Sequence, residues 1–219
     1  MEFIPFPQYP VTILKAYPYF WQMFFLANTF WGKLLQWDRS LFTTINSDWS
    51  NPVFDYLMPF LRNSLVWIPL YLFVLLLAVL NFKNKAWWWV IFLLCAVAFT
   101  DMSGTYLFKK VFLRLRPCGD PDFYTHVRLV LNRCSGGHSF ISNHAANHFC
   151  MASFFFLALK PIIKKWSLLF FLWAASIAYA QVYVGFHYPS DVLAGALVGV
   201  LTGCFFFWLF KKRFGTLQL

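Results

Sequence analysis

Residues 64–82 read SLVWIPLYLFVLLLAVLNF, a run without a single charged side chain. A helix needs about 20 apolar residues to cross ~30 Å of hydrocarbon. Four further runs of the same character follow, at roughly Ala86 to Phe108, Ser142 to Leu159, Trp166 to Val184 and Ser190 to Phe210. Backbone polar groups in lipid have to be satisfied within their own segment, so each run is expected to be a helix. The chain is 60% hydrophobic and 12% charged, whereas a soluble domain carries about 25% charged residues. The expected fold is an all-α integral membrane bundle of five to six transmembrane helices with N-terminal interfacial helices. Residues 1–63 form the interfacial helical region, 64–210 the transmembrane domain and 211–219 a basic cytoplasmic tail.

The interfacial assignment rests on mixed character. Tyr19 to Trp31 is apolar but short, and Leu34 to Leu61 interleaves apolar residues with Asp38, Arg39, Asp48 and Asp55. Both are read as helices lying in the membrane surface. A sixth span at about Tyr17 to Leu35 is the alternative. No cleaved signal peptide is expected, because the start lacks a basic cluster and no small-residue cleavage site follows.

A net charge of +10 fits either nucleic acid or an anionic membrane, and the placement of the charges decides. One set of connections holds Lys83, Lys85, Lys160, Lys164, Lys165, Lys211, Lys212 and Arg213, with no acid among them. All the acidic residues fall elsewhere. Positive residues mark the cytoplasmic side, so the loop from Lys109 to Ile141 and the turn around His187 face outward. The excess charge is then an orientation signal and no nucleic-acid partner is expected. Cys95, Cys150 and Cys204 lie within spans and read as small apolar residues. Cys118 and Cys134 share the outward loop, where an oxidising space favours a disulfide. Without a CxxC spacing, a metal pair is the weaker reading.

The outward side gathers the polar chemistry. Lys109 and Arg116 are seven apart, two helical turns, and share a face if the helix continues. Arginine binds phosphate through its planar fork; snorkelling is the plain alternative. Ser142, Asn143 and His144 open a helix, where free N–H groups make an anion site; simple capping by Ser142 is the alternative. His187 and Asp191 are spaced i, i+4, so the carboxylate is placed to fix one imidazole nitrogen and leave the other to act on phosphorus. A zinc site from His138, His144, His148, His187 and Asp191 is a lesser reading, since it leaves Lys109 and Arg116 without a role. His148 is read as helix packing, and His126 and His138 as loop residues.

In order and spacing, this set resembles the type 2 phosphatidic acid phosphatase family, the lipid phosphate phosphatases, which are related to glucose-6-phosphatase and the vanadium haloperoxidases. That family carries Lys-x6-Arg-Pro, Pro-Ser-Gly-His and Ser-Arg-x5-His-x3-Asp. Here they appear as Lys109 to Arg116-Pro117, Ile141-Ser142-Asn143-His144, and Ala180-Gln181 to His187 and Asp191. The resemblance implies a membrane phosphatase acting on a phosphorylated lipid, needing neither cofactor nor metal. Lys109, Arg116, Ser142 and the Asn143 N–H would hold the phosphate, His187 would attack, Asp191 would orient it, and His144 would protonate the leaving group. Asp101 would support Lys109 from one helical face earlier. Undecaprenyl pyrophosphate, phosphatidylglycerol phosphate and a lipid A phosphate are the candidate substrates, at the outer face of a bacterial inner membrane.

Three positions depart from the pattern: Ile141 for Pro, Asn143 for Gly, and Gln181 for an Arg that would bind phosphate. The last removes a cation from a site whose transition state spreads negative charge. Arg128 and Arg133 are the expected substitutes, since their loop can fold over the pocket, while Arg114 and Lys110 are expected to snorkel. The runner-up function is a lipid-phosphate binding or transport protein of the same fold without turnover.

Overall fold

In the computed structural model, residues 30–82 and 84–215 are described, apart from the side chains of Phe30 and Trp31. Tyr19–Trp31, the proposed sixth span, Lys83 and the end of the basic tail therefore lie wholly or largely outside the described residues. The chain divides into two compact units, 1–40 and 41–219. The second begins at Leu41 and not after residue 63, because Phe42, Ile45 and Met58 are buried in its core with Tyr183 and Tyr188.

Helix α1 (Phe30–Thr43) runs into a wide π turn, Thr44–Asp48, that buries Asn46. Helix α2 (Pro52–Leu61) starts with Pro52 in its first turn and Asn51 as cap. The Asn51 Oδ1 accepts from the Phe54 N–H at 2.9 Å, satisfying a donor that has no partner inside the helix. Val53, Tyr56 and Phe60 are exposed while Met58 is buried. Spacings of three and four put the exposed three on one outward stripe. The Trp67 Nε1–H closes the corner after α2 by donating to the Leu61 carbonyl at 2.8 Å.

Helices α3 (Ile68–Phe82), α4 (Lys85–Ser103), α5 (Asn143–Ile163), α6 (Leu169–Tyr183) and α7 (Pro189–Phe214) make the bundle. Among the described residues, three stretches are long and apolar enough to cross a membrane: Ser64–Phe82, Lys85–Gly119 and Pro189–Phe214. The other two expected spans are also helices, but α5 carries His144, Asn147 and His148, and α6 has only 15 residues. The lysine-bearing turns gather at one end, where Trp88 stacks on Phe214 at 5.2 Å and Phe155 meets Phe170 at 5.2 Å. The loop 113–142 and the turn 184–188 lie at the other.

Helix α7 shows how the sequence builds the bundle. Leu193, Leu197, Leu201, Phe205 and Trp208 are exposed along one side, as a lipid-facing row should be. Gly195, Gly199 and Gly203 line the opposite side against the backbone of α5. A Cβ on Gly195 would come within 2.6 Å of the Ser142 carbonyl oxygen. Small residues at this spacing let two backbones touch, which is how helices associate where no hydrophobic force separates protein from solvent. The start of α5 is thereby fixed against the start of α7.

The helix before the loop 113–142 runs past Phe108 but stops short of Arg116. After Ser103 it loosens into a π turn, Gly104–Lys109, continues through Lys110–Phe112 and stops at Leu113, which is left-handed (φ 48°). Arg116 therefore leaves the helix, and Lys109 and Arg116 do not share a helical face.

Candidate active site

The three motifs meet through backbone contacts at the end of the bundle away from the lysine-bearing turns. The Ser142 N–H donates to the Asp191 carbonyl at 3.0 Å, and the Ser139 N–H to the Arg114 carbonyl at 2.7 Å. Pro189 sits in the first turn of α7, and the Tyr188 N–H donates to Asp191 Oδ2 at 2.9 Å. The segment before it needs glycine at 185: φ is +90° and a Cβ would meet the Arg128 carbonyl oxygen at 3.0 Å.

His187 is 3% exposed and Asp191 is fully buried. The Nδ1 of His187 lies 3.6 Å from Asp191 Oδ2, beyond hydrogen-bond length. Ser139 fills the gap: its hydroxyl donates to Asp191 Oδ2 in a short hydrogen bond, and its Oγ is 3.4 Å from His187 Nδ1. On the other side, Arg116 Nη1 is 3.0 Å from His187 Nε2 and 3.0 Å from the Phe186 carbonyl, and its Nε donates to the Gly136 carbonyl at 3.1 Å. A guanidinium only donates, so Nε2 is the acceptor and the proton sits on Nδ1. Burial, with Arg116 nearby, pushes the His187 pKa down to about 4 against the opposing pull of Asp191. The imidazole is neutral, its Nε2 lone pair accepting from Arg116.

Arg114 does not snorkel. Its Nη1 donates to Asp191 Oδ1 at 2.6 Å and to Ser190 Oγ at 2.7 Å, and its guanidinium lies 4.2 Å over the Tyr188 ring. Asp191 in the low-dielectric interior needs this partner. Arg128 does not fold over the pocket either. It pairs with Asp55 at 2.7 Å, donates its Nε to the Asn46 carbonyl at 2.9 Å and lies 5.1 Å from the Tyr183 ring centre. Hydrogen bonds from Tyr183 and Arg128 hold the Asp55 carboxyl below its usual range. Arg133 is exposed, and Lys110 is exposed with its ammonium 4.3 Å from the Tyr106 ring centre.

Ser142 caps α5 weakly, 3.5 Å from the Ala145 N–H, and Asn143 opens the helix. The Asn143 side chain turns away to α4, donating to Asp101 Oδ1 and Thr105 Oγ1 at 3.0 Å each. Gly104 makes the room, since a Cβ there would collide with Asn143 Oδ1. Asp101 also accepts from Asn147 at 3.0 Å, so it fastens α5 to α4. Lys109 lies within electrostatic range of Arg116, Asp101 and Asp191. His144 is half-buried and feels the charges of Arg62 and Lys109. His148 is packed: its Nδ1 is 2.7 Å from the His144 carbonyl and its ring meets Trp173 at 5.2 Å. Gln181 is 1% exposed and its Nε2 lacks a partner among the described residues.

Cys118 and Cys134 form a disulfide, which ties together the two chain segments that carry Arg116 and Gly136 just outside the closed loop. No cluster of three metal-ligating side chains occurs among the described residues. An apolar cavity of about 1030 Å³ is lined by Trp67, Trp173 and Lys165 among others, and by none of Lys109, Arg116, Ser142, His144, His187 and Asp191. Sequence reasoning missed Ser139 as the bridge to Asp191 and gave Arg62 no part. Neither stands at a recognisable spacing from the motifs.

A family model described as the PAP2 superfamily matches residues 86–215. The chain is 32% identical over 171 residues to the lipid A 4'-phosphatase of Bacteroides thetaiotaomicron, covering 77% of this chain and 75% of that one. It is 27% identical to the lipid A 4'-phosphatase of Porphyromonas gingivalis, covering 78% and 72%. Among solved structures, LpxE of Aquifex aeolicus superposes with a TM-score of 0.55 at 24% identity, covering 76% and 92% of the two chains. The PAP2 type phosphatidylglycerolphosphate phosphatase of Bacillus subtilis gives 0.60 at 18% identity, covering 94% and 98%.

Proposed function

The chain belongs to the PAP2 superfamily, and on that premise we propose that it is a membrane phosphatase removing a phosphate monoester from a lipid A-type glycolipid. The observation that carries the catalytic part is the neutral His187, its Nε2 held by the Arg116 guanidinium at 3.0 Å. A nucleophile resting on the cation that binds its target is poised for phosphoryl transfer. The 4'-phosphatase relatives support the substrate class.

In the proposed reaction, Arg116 shifts from Nε2 onto the phosphate oxygens, joined by Lys109, Ser142 and the Asn143 N–H at the open end of α5. Nε2 attacks phosphorus and the bond to the sugar oxygen breaks. His144 gives its proton to that oxygen. The Nδ1–H faces Ser139 and Asp191, which stabilise the positive imidazole of the phosphohistidine. Water, deprotonated by His144, then attacks phosphorus, frees inorganic phosphate and returns the lone pair to Nε2. No step uses a metal ion, so chelator should leave the rate unchanged. The charge split supports an outward-facing site.

A second reading, lipid-phosphate binding without turnover, draws support from Gln181, which brings no charge. Phosphate release by the purified full chain in detergent separates the two. Lipid A bearing its phosphates should be hydrolysed faster than undecaprenyl pyrophosphate or phosphatidylglycerol phosphate. Release from none of the three would overturn the enzyme reading, and a preference for another would overturn the substrate.

A further inference from the structure

Arg62 stands at the end of α2, where its backbone N–H donates to the Met58 carbonyl at 3.1 Å and Trp67 pins the following corner. Its guanidinium lies 4.5 Å from the centre of the Phe186 ring, beside His187 in the chain. It sits within electrostatic range of Arg116, Arg133 and His144. Its Nε is buried with no hydrogen-bond partner among the described residues. Asp55, the acid on α2, is already taken by Arg128 and Tyr183.

Such a gathering of cations is unfavourable until an anion joins it. Burial first, then the like charges of Arg133 and Arg116, push the Arg62 pKa down to about 10. The other candidates for an added phosphate cation are committed or outlying: Arg114 to Asp191, Arg128 to Asp55, Lys110 and Arg133 at the exposed rim. Gln181 supplies none.

We propose that Arg62 is a phosphate-binding residue of this site, delivered from α2 and supplying the cation that position 181 lacks. The proposal rests on the phosphatase reading for its catalytic consequence, though not for phosphate binding itself. Arg62 adds a donor fork over the Phe186 ring, opposite Arg116, so that the phosphate is gripped from two sides. Because α2 precedes the bundle, the site is complete only when that helix is docked.

The test uses the full chain in detergent with inorganic phosphate, its binding followed by ³¹P line broadening, alongside phosphate release from lipid A. Arg62→Gln, close in length and neutral, should weaken phosphate binding at least ~10-fold and lower kcat/KM by about 10²-fold, the usual scale for a lost preorganised donor. Arg62→Lys should recover part of both. Gln181→Arg placed in the Arg62→Gln protein should restore binding, which a merely structural Arg62 would not allow. Arg133→Gln should weaken binding less. Unchanged phosphate affinity in Arg62→Gln, or no recovery in the double variant, overturns the proposal. A parent chain that binds phosphate through Arg62 yet hydrolyses no lipid would sink the enzyme reading and leave this one standing.

Discussion

The scaffold of α5 and α7 and the cationic rim around it are built by different rules. On the scaffold, chemistry follows chain spacing. Gly195, Gly199 and Gly203 bring α7 against α5, and the same helices present His144, Ser142, His187 and Asp191 at their outward ends. On the rim, spacing says little. Arg114 and Arg116 are two apart in an irregular loop, yet one holds the Asp191 carboxylate and the other the His187 ring. Arg128 serves α2, and Arg62 comes from α2 to the pocket. A rigid pair of helices sets where the reacting atoms sit, and separately anchored cations set how much charge the site can stabilise.

Breaking the scaffold should have the largest effect. Gly199→Leu would drive a side chain into the α5 backbone, where even a Cβ would lie 2.9 Å from the Cys150 nitrogen. Overpacking of this kind costs about 1–3 kcal/mol even where side chains can yield, and backbone cannot. Thermal unfolding in detergent should shift down sharply, with phosphate release lost alongside. A parent-like melting temperature would show that the two helices are free to separate.

The rim sharpens the comparison through two arginines. Arg114→Ala leaves Asp191 buried without its partner, a loss of about 3 kcal/mol, and should lower both stability and kcat. Arg128→Ala breaks a pair that is partly open to solvent, with side chains 32% and 40% exposed. It should weaken α2 docking and, through Arg62 on that helix, lower phosphate affinity, with a smaller loss of kcat than Arg114→Ala gives. Equal effects on kcat would erase the distinction between the two.

The smallest effect is a titration. His187 is held neutral to about pH 4 by burial, whereas an unfolded histidine takes its proton near 6.5. Between those values the unfolded chain binds more protons than the folded one, so acidification from 6.5 to 4 destabilises the fold. Histidine ¹⁵N spectra, assigned by difference from His187→Asn, should show a neutral Nδ1–H imidazole at pH 5.5. A charged ring at that pH would contradict the assigned tautomer.

These contrasts explain what the sequence made legible. Apolar runs and the His187–Asp191 spacing are local, so the helices and the residues at their ends are visible from residue order. The Ser139 bridge is not, because a serine three residues before Ser142 has no periodic relation to Asp191. The path of Arg116 is not legible because the π turn at Gly104–Lys109 and the left-handed Leu113 end the helix within an otherwise apolar stretch. Arg128 looked available because the sequence does not show that Asn46 and Asp55 would claim it.

The central claim is that His187 carries the phosphoryl group. Rapid quench of the full chain with ³³P-labelled lipid A, at enzyme in excess, tests it directly. The account predicts an acid-labile, base-stable phosphohistidine on the peptide containing His187, formed and consumed at rates compatible with turnover. His187→Ala should give no labelled peptide and release phosphate at least ~10³-fold more slowly. Turnover that proceeds without label, or an active His187→Ala protein, would contradict it.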